Sequence, residues 1–160
     1  MGCSVIFLDI DGVLVTTRSF ASGKDAGQSA SSFDQVGVGL VKELCDLTGA
    51  KIVVCSSWRL SHTTFDLVDI FDSNGLASKY FHSDMLTPEL SPSKYVEIDA
   101  WFEGHRGEID SYVIIDDQAS MNDPCAVVPN YSDGIQWRDF LRAYSILTGK
   151  DYKGGANDVC

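Results

Sequence analysis

Three short apolar runs, each broken off by polar side chains, constrain this chain more than any other feature. Residues 4–8 (SVIFL) stop at Asp9, residues 51–55 (KIVVC) at Ser56, and residues 112–115 (YVII) at Asp116 and Asp117. Runs this short, rich in β-branched residues and without alternation, read as strands buried on both faces. Helical spacing fills the gaps between them. Val36, Leu40, Val41, Leu44 and Leu47 recur at three and four before Gly49; Phe65, Leu67, Val68, Ile70 and Phe71 precede Gly75. Tyr95, Ile98, Ala100, Trp101 and Phe102 follow Pro92, which fits a first helical turn, and residues 135–147 run up to Gly149. Weaker strand signals lie at residues 79–81 and 126–128. Strands alternating with helices imply an α/β fold: a three-layer parallel sheet with helices on both faces and right-handed crossovers. Residues 16–32, rich in Ser, Gly, Ala and Thr, read as a small mobile flap, and the polar residues 151–160 as a frayed tail. Residues 1–150 are expected to form one domain.

Composition narrows the partners. Lys plus Arg number 12 and Asp plus Glu 23, giving a net charge of -11. Such a balance opposes unassisted binding to a polyanion, which requires clustered cations. No apolar run approaches the ~20 residues that cross a bilayer, and no charged-then-apolar leader opens the chain, so a soluble protein is expected, with no membrane partner. Cys3, Cys45, Cys55, Cys125 and Cys160 form no C-x-x-C pair. Several sit in or beside apolar runs, where free cysteine packs as a small hydrophobe, and a reducing cytoplasm is the expected compartment.

In open parallel sheets ligands bind beyond the carboxyl ends of the strands. Asp9, Asp11, Ser56, Ser57, Asp116 and Asp117 all fall there. Asp9 and Asp11, two residues apart at a strand exit, can face one cleft. An ionised carboxylate can attack phosphorus to give an aspartyl-phosphate, splitting one hard displacement into two easier ones. Its approach to a phosphate dianion needs Mg²⁺, which prefers oxygen ligands, and Asp116 and Asp117 supply more of them. Asp11 suits the acid/base role. Gly12 lets the chain turn away without a Cβ clash. Ser56 and Ser57 offer hydroxyls and N–H groups to phosphate oxygens, and Lys94 or Arg59 can add positive charge. Singly, each element has a bland reading as a turn or cap residue; their convergence on separate strand ends favours chemistry. Trp101 and Trp137 are expected to pack, Trp58 to pack or to line the pocket rim, and His62, His82 and His105 to lie at the surface or in packing.

These residues resemble the haloacid dehalogenase (HAD) superfamily of phosphotransferases. Asp9-Ile10-Asp11-Gly12 is similar to its first motif, the strand ending at Ser56 to its second, Lys94 to its lone cation, and the strand ending at Asp116-Asp117 to its fourth. The resemblance implies a Rossmann-like fold, with Asp9 as nucleophile, Asp11 as general acid/base, and Ser56 and Lys94 as phosphate binders. It also implies Mg²⁺ held by the Asp9 side chain, the Asp11 backbone carbonyl and Asp116, with Asp117 as a nearer or outer partner. The wording CSSWR, then KYVEIDAWF, then VIIDD, is similar to the small HAD domains of nucleic-acid repair proteins.

Caps select substrates in that superfamily, and this chain has room for only a small flap, so it resembles capless members with open sites. The implied activity is a Mg²⁺-dependent phosphomonoesterase acting on nucleotides or on terminal phosphates of nucleic acid. Three rivals stand beside it: a protein phosphatase, a non-catalytic phosphate-recognising module, and a phospho-acceptor receiver domain. The receiver carries its acceptor on a later central strand, which the early D-x-D-G motif does not match.

Overall fold

The parallel register of one strand explains the architecture. In the computed structural model, which describes residues 2–25, 32–90 and 92–153, β1 (Cys3–Leu8) pairs in parallel with both β2 (Lys51–Val54) and β4 (Ile109–Ile115). β3 (Phe81–Leu86) and β5 (Ala126–Val127) form the edges, giving one five-stranded sheet in the order β3-β2-β1-β4-β5. Alternate β1 side chains serve opposite faces, as strand geometry requires. Ile6 and Leu8 pack under α2 (Gln35–Thr48), α3 (Thr64–Ser73) and α5 (Trp137–Thr148), while Val5 and Phe7 pack under α4 (Lys94–Gly104). Both faces of β1 are therefore dry, which is why its sequence shows no polar alternation. The result is the expected three-layer α/β fold, with no large cap among the described residues.

The helix ends follow local chemistry. Asp34 caps α2 by accepting from the N–H groups of Val36 and Gly37, and α2 and α5 end at Gly49 and Gly149, both left-handed. Thr63 and Asp66 close a reciprocal capping box at the start of α3.

Four expectations need correction. The first half of the flap is a helix, α1 (Thr17–Asp25). Thr16 and Ser19 each accept the other's backbone N–H, and Arg18 pairs with Asp34 at 2.7 Å, so polar contacts anchor a segment with little apolar content; residues 26–31 lie outside the described residues. The third strand begins at Phe81 rather than at residue 79, because residues 78–80 make a 3-10 turn. Pro92 precedes the cap Ser93 instead of sitting in the first turn of α4. Tyr152, placed in the frayed tail, packs edge-on against Trp137, Phe140 and Tyr144; residues 154–160 lie outside the described residues.

No helix among the described residues is long and apolar enough to cross a membrane. Cys45 and Cys55 are buried, Cys3 and Cys125 half-buried, and all four are free thiols. Burial pushes the Cys45 thiol up to about 12, which makes it inert at neutral pH.

Candidate active site

The chain passes from β1 through β2 to β3 on one side of the sheet and then returns to β4 on the other, so the strand order reverses at β1 and β4. That reversal opens a crevice at their carboxyl ends. Leu8 lies opposite Val54 and Ile115. The ladder runs one residue further: Asp9 N–H donates to Ile115 at 3.0 Å and Cys55 N–H to Leu8 at 3.1 Å. Asp9 is thus held between Cys55 and Asp116 by backbone bonding alone.

Lys94, the first residue of α4, reaches across this gap. Its Nζ donates to Asp9 Oδ2 at 2.6 Å and to Asp116 Oδ2 at 2.8 Å. Asp9 Oδ1 accepts the Ile10 N–H at 2.9 Å, and Asp116 Oδ1 that of Gln118 at 2.8 Å. Carboxylate oxygens of Asp9, Asp116 and Asp117 all lie within 4.8 Å of one another. Two of these three carboxylates pair with the Lys94 ammonium, and the third stands beside them. Burial, and then the charge of Asp116, push the Asp9 carboxyl up to about 6 against the pull of Lys94. Asp117 is raised by the same two causes. Burial works against the Lys94 charge, but Asp9 and Asp116 outweigh it and raise that group. An all-oxygen donor set with surplus negative charge fits a hard divalent cation such as Mg²⁺.

Asp11 leaves the strand end and turns elsewhere. Its Oδ2 accepts the indole Nε1–H of Trp58 at 2.9 Å, and its carboxylate does not join the triad. Gly12 makes the turn at φ 73°; a Cβ there would meet Asp117 at 2.6 Å and the Tyr131 ring at 2.8 Å, so this position admits glycine alone. Tyr131, 58% exposed, consequently borders the site beside Asp117.

Ser56 is fully buried and caps the short 3-10 turn at residues 57–60, its Oγ accepting the Trp58 N–H at 3.3 Å. Ser57 is exposed on the wall of a cleft of about 480 Å³ that it shares with Leu60, Leu90, Pro92 and Lys94. Arg59 is not gathered to the carboxylate cluster. It lines that same cleft, but its guanidinium pairs with Glu97 and donates to the carbonyls of Cys55, Ser56 and Thr87, so its donors already serve the loops after β2 and β3.

Trp58, expected to pack or to line the pocket rim, stands at the site, as does Tyr131. The position of Trp58 directly after the strand-end serines was the available signal for the first; for Tyr131 there was none. His62 stacks on Trp58, His82 and His105 pack on Trp101, and Trp137 stacks on Phe140.

Comparison with curated proteins and with solved structures returned no significant match. Residues 5–140, well over half the chain, match the family described as the HAD domain in Swiss Army Knife RNA repair proteins. The matched stretch contains both strand ends of the carboxylate cluster and Lys94 between them. The chain therefore belongs to the family of HAD domains found in Swiss Army Knife RNA repair proteins.

Proposed function

We propose that the protein is a Mg²⁺-dependent phosphomonoesterase working through an aspartyl-phosphate at Asp9, on nucleotides or on terminal phosphates of nucleic acid. The observation that carries this reading is the cluster of Asp9, Asp116 and Asp117 around the Lys94 ammonium at a strand-order reversal. Mg²⁺, held by those carboxylates and the Asp11 backbone carbonyl, would supply the charge that lets a carboxylate approach a phosphate dianion.

The chain's own groups divide the remaining work. Backbone pairing fixes Asp9 at the strand end, so its carboxylate is presented without a search over rotamers. An Asp9 oxygen bonds to phosphorus as the ester oxygen leaves, and Asp11 gives that oxygen a proton. Water then attacks phosphorus, Asp9 leaves, and Asp11 takes the water's proton back. Lys94 neutralises oxygens of the transferring group. The Ser56 hydroxyl, whose oxygen accepts from Trp58, keeps its own proton to donate to a phosphate oxygen. Ser57 and the cleft beside Lys94 receive the leaving group.

The family description supports terminal phosphates on RNA, and the charge of -11 supports a small ester in which few phosphates need neutralising. The test is phosphate release, with Mg²⁺, from a panel of an aryl phosphate, nucleoside 5′- and 3′-monophosphates, and 3′-phosphorylated DNA and RNA oligomers. Release abolished by EDTA and by Asp9→Asn is the expected result. No Asp9-dependent release from any of them would remove the reading.

A further inference from the structure

Trp58 is pinned on every side but one. Its backbone N–H is given to Ser56 Oγ, and its carbonyl accepts the N–H groups of Ser61 and His62. The His62 ring stacks on the indole at 5.5 Å and 19°, and Phe33 meets it edge-on at 6.2 Å. What remains is the polar corner Nε1–H, and it is aimed at Asp11 Oδ2, 2.9 Å away. Asp11 needs such a partner. It stands beyond the strand end, half-buried, where the carboxylate cluster does not hold its side chain.

We propose that Trp58 is a positioning residue for proton transfer: it reserves Oδ2 of Asp11 and leaves Oδ1 as the oxygen that carries the exchanging proton. This rests on Asp11 being the acid/base. An indole N–H donates and cannot accept, so it occupies one lone pair of Oδ2 and lowers the basicity of that oxygen, which leaves Oδ1, with both its lone pairs, the better carrier of the exchanging proton. In the first half-reaction the Oδ1 proton passes to the ester oxygen as the ester O–P bond breaks and the Asp9 O–P bond forms. In the second, the water oxygen bonds to phosphorus, the Asp9 O–P bond breaks, and the water proton returns to Oδ1. The stacked His62 keeps the indole plane, and with it the donor's direction, fixed between the two steps.

The experiment is Trp58→Phe, which keeps a ring against Phe33 and His62 and deletes the donor. Two substrates are compared by kcat/KM, which reports the first half-reaction: a nucleoside monophosphate, whose alkoxide must be protonated to leave, and 4-nitrophenyl phosphate, whose phenolate leaves without help. Hydrogen bonds to charged groups of this kind translate into a loss of about 10- to 100-fold on the nucleoside ester. On the aryl ester the loss stays under about 3-fold, because acid assistance contributes little there. Equal losses on both esters, or none on the nucleoside ester, would overturn the proposal.

Asp11→Asn separates the two ideas. If it shows no leaving-group-dependent loss, the acid/base reading falls; if it does and Trp58→Phe does not, only the role of Trp58 falls. His62→Ala, which leaves the indole in place, is the second variant, with a smaller loss of the same selectivity expected and an unselective one counting against. The bond is also read without turnover. The indole ¹⁵N–¹H resonance that disappears in Trp58→Phe should move upfield in Asp11→Asn while those of Trp101 and Trp137 stay, and an unmoved resonance would refute the contact.

Discussion

Arg59 and Lys94 both reach carboxylates near the carboxyl edge of the sheet, yet their surroundings are built on different terms. The Arg59 side chain is 5% exposed and its partner Glu97 3%. Three backbone carbonyls take further guanidinium donors, and the second Glu97 oxygen accepts the Leu90 N–H at 3.1 Å. Charge and hydrogen bonds balance, and the pair ties the segments after β2 and β3 to α4. Lys94 is 28% exposed and faces a surplus of carboxylates. Balanced polar clusters rigidify a fold, whereas an unbalanced one at a cleft is poised to take up a ligand that restores neutrality.

The largest effect follows from breaking the balanced cluster. Arg59→Met leaves Glu97 charged, buried and without its cation, which costs about 3 to 5 kcal/mol. Urea denaturation should show that loss, and a change below about 1 kcal/mol would mean that the pair is replaceable surface chemistry. Lys94→Met reverses the pattern. Removing a cation aimed at transferring oxygens should lower kcat/KM by about 10² to 10³. The variant leaves three carboxylates that a divalent cation can relieve, so with Mg²⁺ present the folded yield should stay near that of the parent protein. If Lys94→Met unfolds the protein while Arg59→Met spares it, the two clusters have been assigned the wrong way round.

Availability of this kind was the part of the site hidden from the sequence. The D-x-D-G, SS and DD signals were legible because each ends an apolar run, and strand ends converge by topology. Residue chemistry alone left Arg59 and Lys94 as alternatives, and only the family resemblance favoured Lys94, because what occupies Arg59 is a glutamate 38 residues away on another element. In the fold, the same contrast separates β1, β2 and β4 from β3. The three inner strands run into the core at their carboxyl ends, where residues 5–8, 52–54 and 113–115 are buried, so their composition announces them. The edge strand β3 exposes Ser83 and Asp84 and pairs irregularly with β2, so little in its composition marks its start. α1 escapes notice because its start is held by Thr16, Ser19 and the Arg18–Asp34 pair rather than by an apolar stripe.

The unbalanced cluster can be sharpened by titration. Asp9 has an ordinary value of 3.8 in the unfolded chain and about 6 in the fold. A carboxyl raised by folding binds more protons in the native state, so its ionised form costs stability above about pH 6. The cost shrinks as pH falls towards 3.8. In EDTA, Asp9→Asn should therefore be more stable than the parent protein by about 2 to 3 kcal/mol at pH 8, with the gain fading below pH 6. Adding Mg²⁺ should stabilise the parent protein and do less for the variant. A stability gain that persists unchanged at pH 4, or none at pH 8, would contradict the charge surplus.

Ser56 belongs to both clusters and gives the smallest effect. Its carbonyl accepts Arg59 Nη1 at 3.0 Å, on the balanced side, while its hydroxyl caps the turn that carries Trp58, on the open side. Ser56→Ala keeps the carbonyl and loses the cap, so it should cost about 1 kcal/mol, as N-cap removals do. Ser57→Ala, at an exposed position, should change stability by less than about 0.5 kcal/mol. The same pair tests which hydroxyl serves phosphate. Competitive inhibition by inorganic phosphate should weaken by about 5- to 10-fold in Ser56→Ala, the value of one hydrogen bond, and hardly at all in Ser57→Ala. If Ser57→Ala weakens it instead, the phosphate sits further out along the cleft, and Ser56 belongs wholly to the balanced half of the comparison.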